Sequence, residues 1–124
     1  MGLQQVFKIR QRFDGAHLAD AAGALRAQLA SLDDRIRAGA RIAIAVGSRG
    51  IDNLPLLVKT VSGYVTERGA HPFVVPAMGS HGGATAEGQS EILRGYGISE
   101  HAIGAPVRSS IARRTAICAG SRNT

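Results

Sequence analysis

Two short apolar runs, each followed by a glycine-rich loop and then by a helical pattern, constrain the fold of this chain more than any other feature. The runs are residues 40–46 (ARIAIAV) and residues 71–77 (HPFVVPA). Neither run alternates apolar with polar residues, which is typical of strands covered on both faces in a parallel sheet. Strands that alternate with helices are joined by right-handed crossovers. The sequence therefore predicts an α/β domain built on a parallel sheet.

Helical patterns flank both apolar runs. The first begins near Asp20 and continues for about five turns to Gly39, with leucines at helical spacing on one face. The second spans roughly residues 54–68. The third follows Thr85, which we expect to be its N-cap, and stops at Gly97. We therefore expect a Rossmann-like fold, in which helices flank the parallel sheet.

The two ends of the chain have different patterns. Within residues 4–10, Phe7 and Ile9 alternate with Val6, Lys8 and Arg10, which suits an edge strand. Ser99 is placed to cap one short helical turn, and residues 106–110 have the composition to begin a fourth strand. We predict that residues 1–110 form one N-terminal α/β domain, that residues 111–124 are an irregular basic tail, and that the domain is truncated.

The net charge of +6 is concentrated in one part of the chain. Four arginines and no acidic residue lie within residues 105–124, so the rest of the chain is only mildly basic. The chain has no tryptophan and only 4% aromatic residues, which leaves little surface for stacking on bases. No helical pattern carries a basic stripe. We therefore expect no nucleic-acid partner.

Cysteine content and hydropathy bear on the compartment. Cys118 is the single cysteine and cannot form an internal disulfide, which favours a reducing compartment. No stretch approaches about eighteen uncharged apolar residues, and the N-terminus has no apolar segment of the kind found in signal peptides. We therefore expect a cytoplasmic protein without a membrane span.

The two glycine-rich loops predict one binding site. GSRG at residues 47–50 recurs as GSHG at residues 79–82, each time between an apolar run and a helical pattern. Ligands of open parallel sheets bind at the carboxyl ends of the strands, where these loops lie. Glycines let the backbone approach a ligand, and the N–H groups at a helix N-terminus favour phosphate or carboxylate. We therefore expect each loop to cradle an anion. Arg49 supplies a cation for that anion, and His81 supplies an acid or base.

Other kinds of site lack their motifs. A Walker phosphate loop, a dinucleotide fingerprint in the loops and a G-x-S-x-G nucleophile motif are all absent from the sequence. His17, His71 and His101 do not have the spacing of metal ligands. We expect these three histidines to be ordinary surface residues.

At the two loops the chain resembles the N-terminal part of the nickel-pincer lactate racemase family. The segments AVGSRGIDNLP and PAMGSHGGATAEGQ carry the resemblance, which covers about residues 40–110. It implies that the four residues matching the family's D-x-T-R motif contact the phosphate-bearing cofactor, a nickel pyridinium-3,5-bisthiocarboxylate mononucleotide. These residues are Val46, Gly47, Ser48 and Arg49. It also implies that His81, in the family's G-x-H motif, is a catalytic histidine that exchanges a proton with the hydroxyl of lactate.

Two positions depart from the family pattern. Val46 stands where the family has aspartate, and Gly82 stands where an arginine often follows the histidine, which leaves the identity of the substrate open. The family's cofactor-binding lysine, nickel-ligating histidine and second catalytic histidine lie later in its chains than residue 124. The resemblance therefore implies the N-terminal part of a racemase or epimerase for a small anionic substrate such as a 2-hydroxy acid, inactive by itself.

Two alternatives stay open at this point. The same loops are compatible with a non-catalytic α/β module that binds phosphate or carboxylate. They are also compatible with a fragment that does not fold stably, because missing strands would leave a parallel sheet edge unpaired.

Overall fold

The fold is built on a two-stranded parallel sheet, seen in a computed structural model that describes residues 6–109. Strand β1 is Arg41–Val46 and strand β2 is His71–Pro76. The strands pair from Arg41 opposite His71 to Val46 opposite Pro76. Both strands predicted from the apolar runs are therefore confirmed, and the described part of the chain is mixed α/β.

Four α-helices flank the sheet in the described residues. They are α1 (Ala21–Leu29), α2 (Leu54–Glu67), α3 (Ala86–Gly95) and α4 (Glu100–Ile103), with 3-10 turns at Ala30–Arg35 and His81–Ala84. The predicted caps are confirmed: the Thr85 hydroxyl accepts from the Gly88 N–H at 3.1 Å, and the Ser99 hydroxyl accepts from the Ala102 N–H at 3.2 Å. Within residues 6–109, no helix has both the length and the apolar character needed to cross a bilayer.

The main cluster of buried hydrophobic residues lies on one face of the sheet. Val46 and Val74 are buried there together with residues from the helices and the following loops, namely Leu54, Val58, Met78, Leu93, Ile98, Ile103 and Ala105. Leu93 and Ile98 are fully buried, and each such side chain contributes about 1.5–3 kcal/mol. The core thus joins α2, α3 and α4 to the same side of both strands.

The expectation that the first apolar run is covered on both faces is wrong. Ala43 and Ala45 of β1 are exposed, whereas Ile44 packs against the core. Successive strand residues point to opposite faces, so the helices of the core cover one face of β1 and leave the other open to solvent. This exposure costs little free energy, because the small alanine side chains present little apolar area to water.

A third segment joins the sheet at a single residue. The Val74 N–H donates to the Pro106 carbonyl at 2.7 Å, and the Arg108 N–H donates to the Val74 carbonyl at 2.8 Å, which forms a parallel bridge between Val74 and Val107. Alternate residues of a strand direct their N–H groups to the same edge, and here those residues are Pro72, Val74 and Pro76. Proline has no N–H, so the predicted fourth strand is only a bridge in the described part of the chain.

The predicted strand at residues 4–10 is wrong for residues 6–10, which form no strand. Val6, Phe7 and Ile9 are 92%, 78% and 87% exposed. Alternation supplies an apolar face, but a strand also needs a neighbouring edge to pair with, and no described strand pairs with this segment. Residues 4 and 5, and the tail predicted at residues 111–124, lie outside the described residues.

The first helix is shorter than predicted, because α1 ends at Leu29 and a 3-10 turn follows. This tighter turn holds Asp33 against the C-terminal end of α2. The Tyr64 hydroxyl donates to Asp33 at 2.6 Å, and the Arg68 guanidinium donates to both carboxylate oxygens, with a distance of 2.8 Å to Oδ2. The hydrogen bonds from Arg68 and then from Tyr64 lower the pKa of the Asp33 carboxyl.

We expect protonation of Asp33 to lower the free energy of unfolding at acid pH. Its pKa is lower in the folded chain than its ordinary value of 3.8, so its contribution is fully present above that value and is lost as the pH falls through the folded pKa. Asp33→Asn should therefore show a smaller loss of Tm between pH 6 and pH 3 than the wild type. Asp34→Asn is the matched control, and an equally steep loss of Tm in Asp33→Asn would contradict this linkage.

Candidate functional site

The two glycine-rich loops meet at one cavity, at the carboxyl ends of β1 and β2. The cavity has a volume of about 320 Å³, within the range of small-molecule sites. Its lining comes from both loops and the start of α2, and consists of Gly47, Ser48, Arg49, Ile51, Leu54, Ala77, Met78 and His81. The prediction that Arg49 and His81 face one crevice is therefore confirmed, whereas their chemical roles stay predictions.

The first loop brings three of its four predicted site residues to the cavity. Gly47, Ser48 and Arg49 lie along its wall. Val46 is only 3% exposed and packs in the core, and its carbonyl accepts from the Ala77 N–H at 2.8 Å. The Val46 side chain therefore anchors the end of β1 beneath the loop. Gly50 turns the chain with a φ of +59°, a conformation that side chains other than glycine rarely adopt.

A hydrogen bond joins the two loops directly. The Ser48 Oγ lies 2.5 Å from the His81 Nδ1. A serine hydroxyl both donates and accepts, so this contact is compatible with the neutral and the protonated imidazole. With Nδ1 held by Ser48, Nε2 is the ring nitrogen that remains for a ligand, since His81 has no second side-chain bond among residues 6–109.

Arg49 gives the cavity its charge. It is the one charged residue in the lining apart from the titratable His81, and it is exposed. Within the described part of the chain its guanidinium forms no ion pair or hydrogen bond. Other exposed arginines are also unpaired, but Arg49 alone among the described arginines lies in this cavity. The electrostatics of the cavity therefore favour an anion.

The second loop presents its histidine, but not its glycines, to the cavity. His81 is its only glycine-loop residue in the cavity lining, and the glycines at 79, 82 and 83 are not part of it. Gly82 has a φ of +65° and packs so closely on Gly88 that an added Cβ would lie 2.5 Å from the Gly88 carbonyl carbon. The Thr85 hydroxyl accepts from the Gly88 N–H, the third N–H of α3. These glycines therefore shape the loop that presents His81 to the cavity, and the second anion cradle stays a prediction.

Two residues that support the loops of the site from outside the cavity were not singled out by sequence analysis. The Gln89 side chain, 4% exposed, donates to the carbonyls of Gly79 at 2.9 Å and His81 at 3.3 Å. The Tyr96 hydroxyl donates to the Ser48 carbonyl at 2.9 Å. Both side chains share the apolar face of α3 with Leu93, at positions i, i+4 and i+7. A glutamine on an apolar helix face was the available signal, since a buried amide requires partners.

The described residues contain no cluster of metal-ligating side chains. Among residues 6–109, no three histidine, cysteine, aspartate or glutamate side chains gather as a metal site. His17, His71 and His101 are exposed, as predicted.

Comparison with protein-family models, with curated proteins and with solved structures gives no match to this chain.

We expect the second loop to tolerate a side chain less well at Gly82 than at Gly83, because Gly82 packs against the backbone of Gly88. Gly83→Ala should lower the free energy of unfolding by about 1–2 kcal/mol, because its φ of +64° is left-handed while the space around it is open. Gly82→Ala should cost about 1–3 kcal/mol more, because its Cβ also meets the backbone of α3. Urea denaturation of both variants measures the difference. Equal losses would show that the loop relaxes around the added methyl group.

Proposed function

We propose that this chain is the N-terminal, anion-binding part of a lactate racemase-like protein, an isomerase of 2-hydroxy acids with a Rossmann-like fold. The observation that supports it is the cavity in which Arg49 lies beside the hydrogen-bonded pair of Ser48 and His81. A 2-hydroxy acid carries a carboxylate and a hydroxyl on adjacent carbons. A guanidinium and an imidazole in one cavity match those two groups.

In this proposal the chain's own residues bind the substrate and move one proton. Arg49 binds an anionic group at the cavity mouth. His81 exchanges a proton with the substrate hydroxyl through Nε2, while Nδ1 stays hydrogen-bonded to Ser48. Because Nδ1 keeps its own proton before and after the transfer at Nε2, the Ser48 hydroxyl accepts from Nδ1 in both states and the ring keeps this partner.

The nickel-pincer nucleotide fits these residues in part. Gly47, Ser48 and Arg49 provide the backbone and the cation that would hold its phosphate, and Arg49 would then serve the phosphate rather than the substrate carboxylate. Among residues 6–109 no cluster of three metal-ligating side chains is present to hold the nickel. Those contacts would come from outside the described residues. When bound, the cofactor supplies the acceptor for the hydrogen on the substrate carbon.

A second function, non-catalytic binding of phosphate or carboxylate, is favoured by a specific observation. His81 is the one acid or base in the described lining of the cavity, whereas a racemase exchanges the hydroxyl proton of both enantiomers and so calls for a second acid or base. In this alternative Arg49 and the first loop hold the anion and His81 contributes only a hydrogen bond. In either function the ligand is a small anion rather than a nucleic acid.

Arg49 is expected to determine anion affinity. Titration of the chain with inorganic phosphate, followed by NMR, should show Kd rising on the order of tenfold or more in Arg49→Ala, because a charge-assisted hydrogen bond is lost. Arg37→Ala removes the same charge from an exposed position outside the cavity and is the matched control. Binding by the wild type should weaken with added salt. Equal affinities of the Arg49 and Arg37 variants would contradict the role of Arg49.

His81 is expected to distinguish the two functions. Lactate and propionate differ by the hydroxyl that a racemase must recognise, so the wild type should prefer both enantiomers of lactate to propionate by roughly three- to tenfold. His81→Ala should abolish that preference and leave propionate binding unchanged. A wild type that binds propionate as tightly as lactate would favour the non-catalytic anion-binding module.

A further inference from the structure

Helix α3 carries two polar side chains that contact the backbone of both loops. Tyr96 reaches the first loop at the Ser48 carbonyl, and Gln89 reaches the second loop at the carbonyls of Gly79 and His81. They are seven residues apart, which is two helical turns, or roughly 10 Å along the axis. One face of one helix thus extends from one loop to the other.

These bonds form a closed circuit. The Tyr96 hydroxyl holds the Ser48 carbonyl, the Ser48 hydroxyl holds the His81 ring, and the Gln89 amide holds the His81 carbonyl. Helix α3 closes the circuit, because Gln89 lies within it and Tyr96 is its C-terminal cap. Removal of one bond opens the circuit, so the loop at that point is held by fewer contacts.

The surroundings of Gln89 and Tyr96 suit a role in fixing the positions of the two loops. Gln89 is 4% exposed, so a lost partner would leave a buried polar group unsatisfied, which costs about 1–3 kcal/mol. The Tyr96 ring also lies 3.9 Å from where a Cβ of Gly50 would stand, so the ring fills space beside the first loop while its hydroxyl makes the bond. Neither Gln89 nor Tyr96 lines the cavity.

We propose that Gln89 and Tyr96 are positioning residues, which set the placement of Ser48 and Arg49 relative to His81 and thereby the selectivity of the cavity without touching the ligand. The part of this proposal that concerns selectivity rests on the proposed function. The part that concerns the position of the His81 ring against Ser48 is independent of that function, because this position is a property of the unliganded chain.

The two tyrosines of the chain allow a matched test. Tyr96→Phe removes the hydroxyl that holds Ser48 and keeps the ring, whereas Tyr64→Phe removes a hydroxyl that bonds Asp33 away from the cavity. The ring nitrogen signals of His81, read by NMR without ligand, should shift in Tyr96→Phe and stay in place in Tyr64→Phe. The preference for lactate over propionate should fall about threefold or more in Tyr96→Phe only. Tm should fall in both variants.

A second variant tests the other end of the circuit. Gln89→Met keeps the length of the side chain and removes both bonds to the second loop, so it should shift the same His81 signals. Unchanged His81 signals in Tyr96→Phe and Gln89→Met would overturn the proposal. Equal shifts in Tyr64→Phe would also overturn it, because they would trace the effect to general stability. If the wild type binds neither lactate nor propionate, the proposed function fails. The His81 signals still test whether Gln89 and Tyr96 position the His81 ring, because they are read without ligand.

Discussion

The parallel register of β1 and β2 is the constraint on which the site depends. Val46 lies opposite Pro76, so both strands end at the same edge and their loops leave side by side. A slip of one residue would turn Val46 and Val74 out of the core, and burial of these side chains therefore fixes the register. The contact between Ser48 and His81 follows from that register, since each residue stands shortly after the end of its strand.

The His81 ring is bonded to a neutral partner, the Ser48 hydroxyl. A carboxylate bound to Nδ1 would favour the protonated ring, whereas the Ser48 hydroxyl serves either charge state. Positive charge is supplied separately by Arg49, which forms no ion pair among the described residues. In the proposed function, positive charge and proton exchange are thus divided between the two loops. The first loop would then hold the anion while His81 of the second loop acts on the substrate hydroxyl.

Sequence patterns were sufficient for the features that depend on local chemistry. The apolar runs gave both strands, and Thr85 and Ser99 were recognisable caps because their hydroxyls bond within their own first turns. Features set by distant partners were not predictable. The early end of α1 accompanies the contact of Asp33 with Tyr64 and Arg68, and the site roles of Gln89 and Tyr96 depend on loops that only the fold brings near α3. Exposure of Ala43 likewise depends on which face the helices cover.

The two prolines of β2 have a consequence for self-association. A sheet edge with a full row of N–H groups is a template on which further chains can stack. Pro72 and Pro76 remove two donors from the outer edge of β2, and the remaining donor, at Val74, is already bonded to Pro106. An incoming strand from another molecule would have to displace that bond and would find no N–H donor at either proline. This edge of the sheet is therefore a poor starting point for fibril growth.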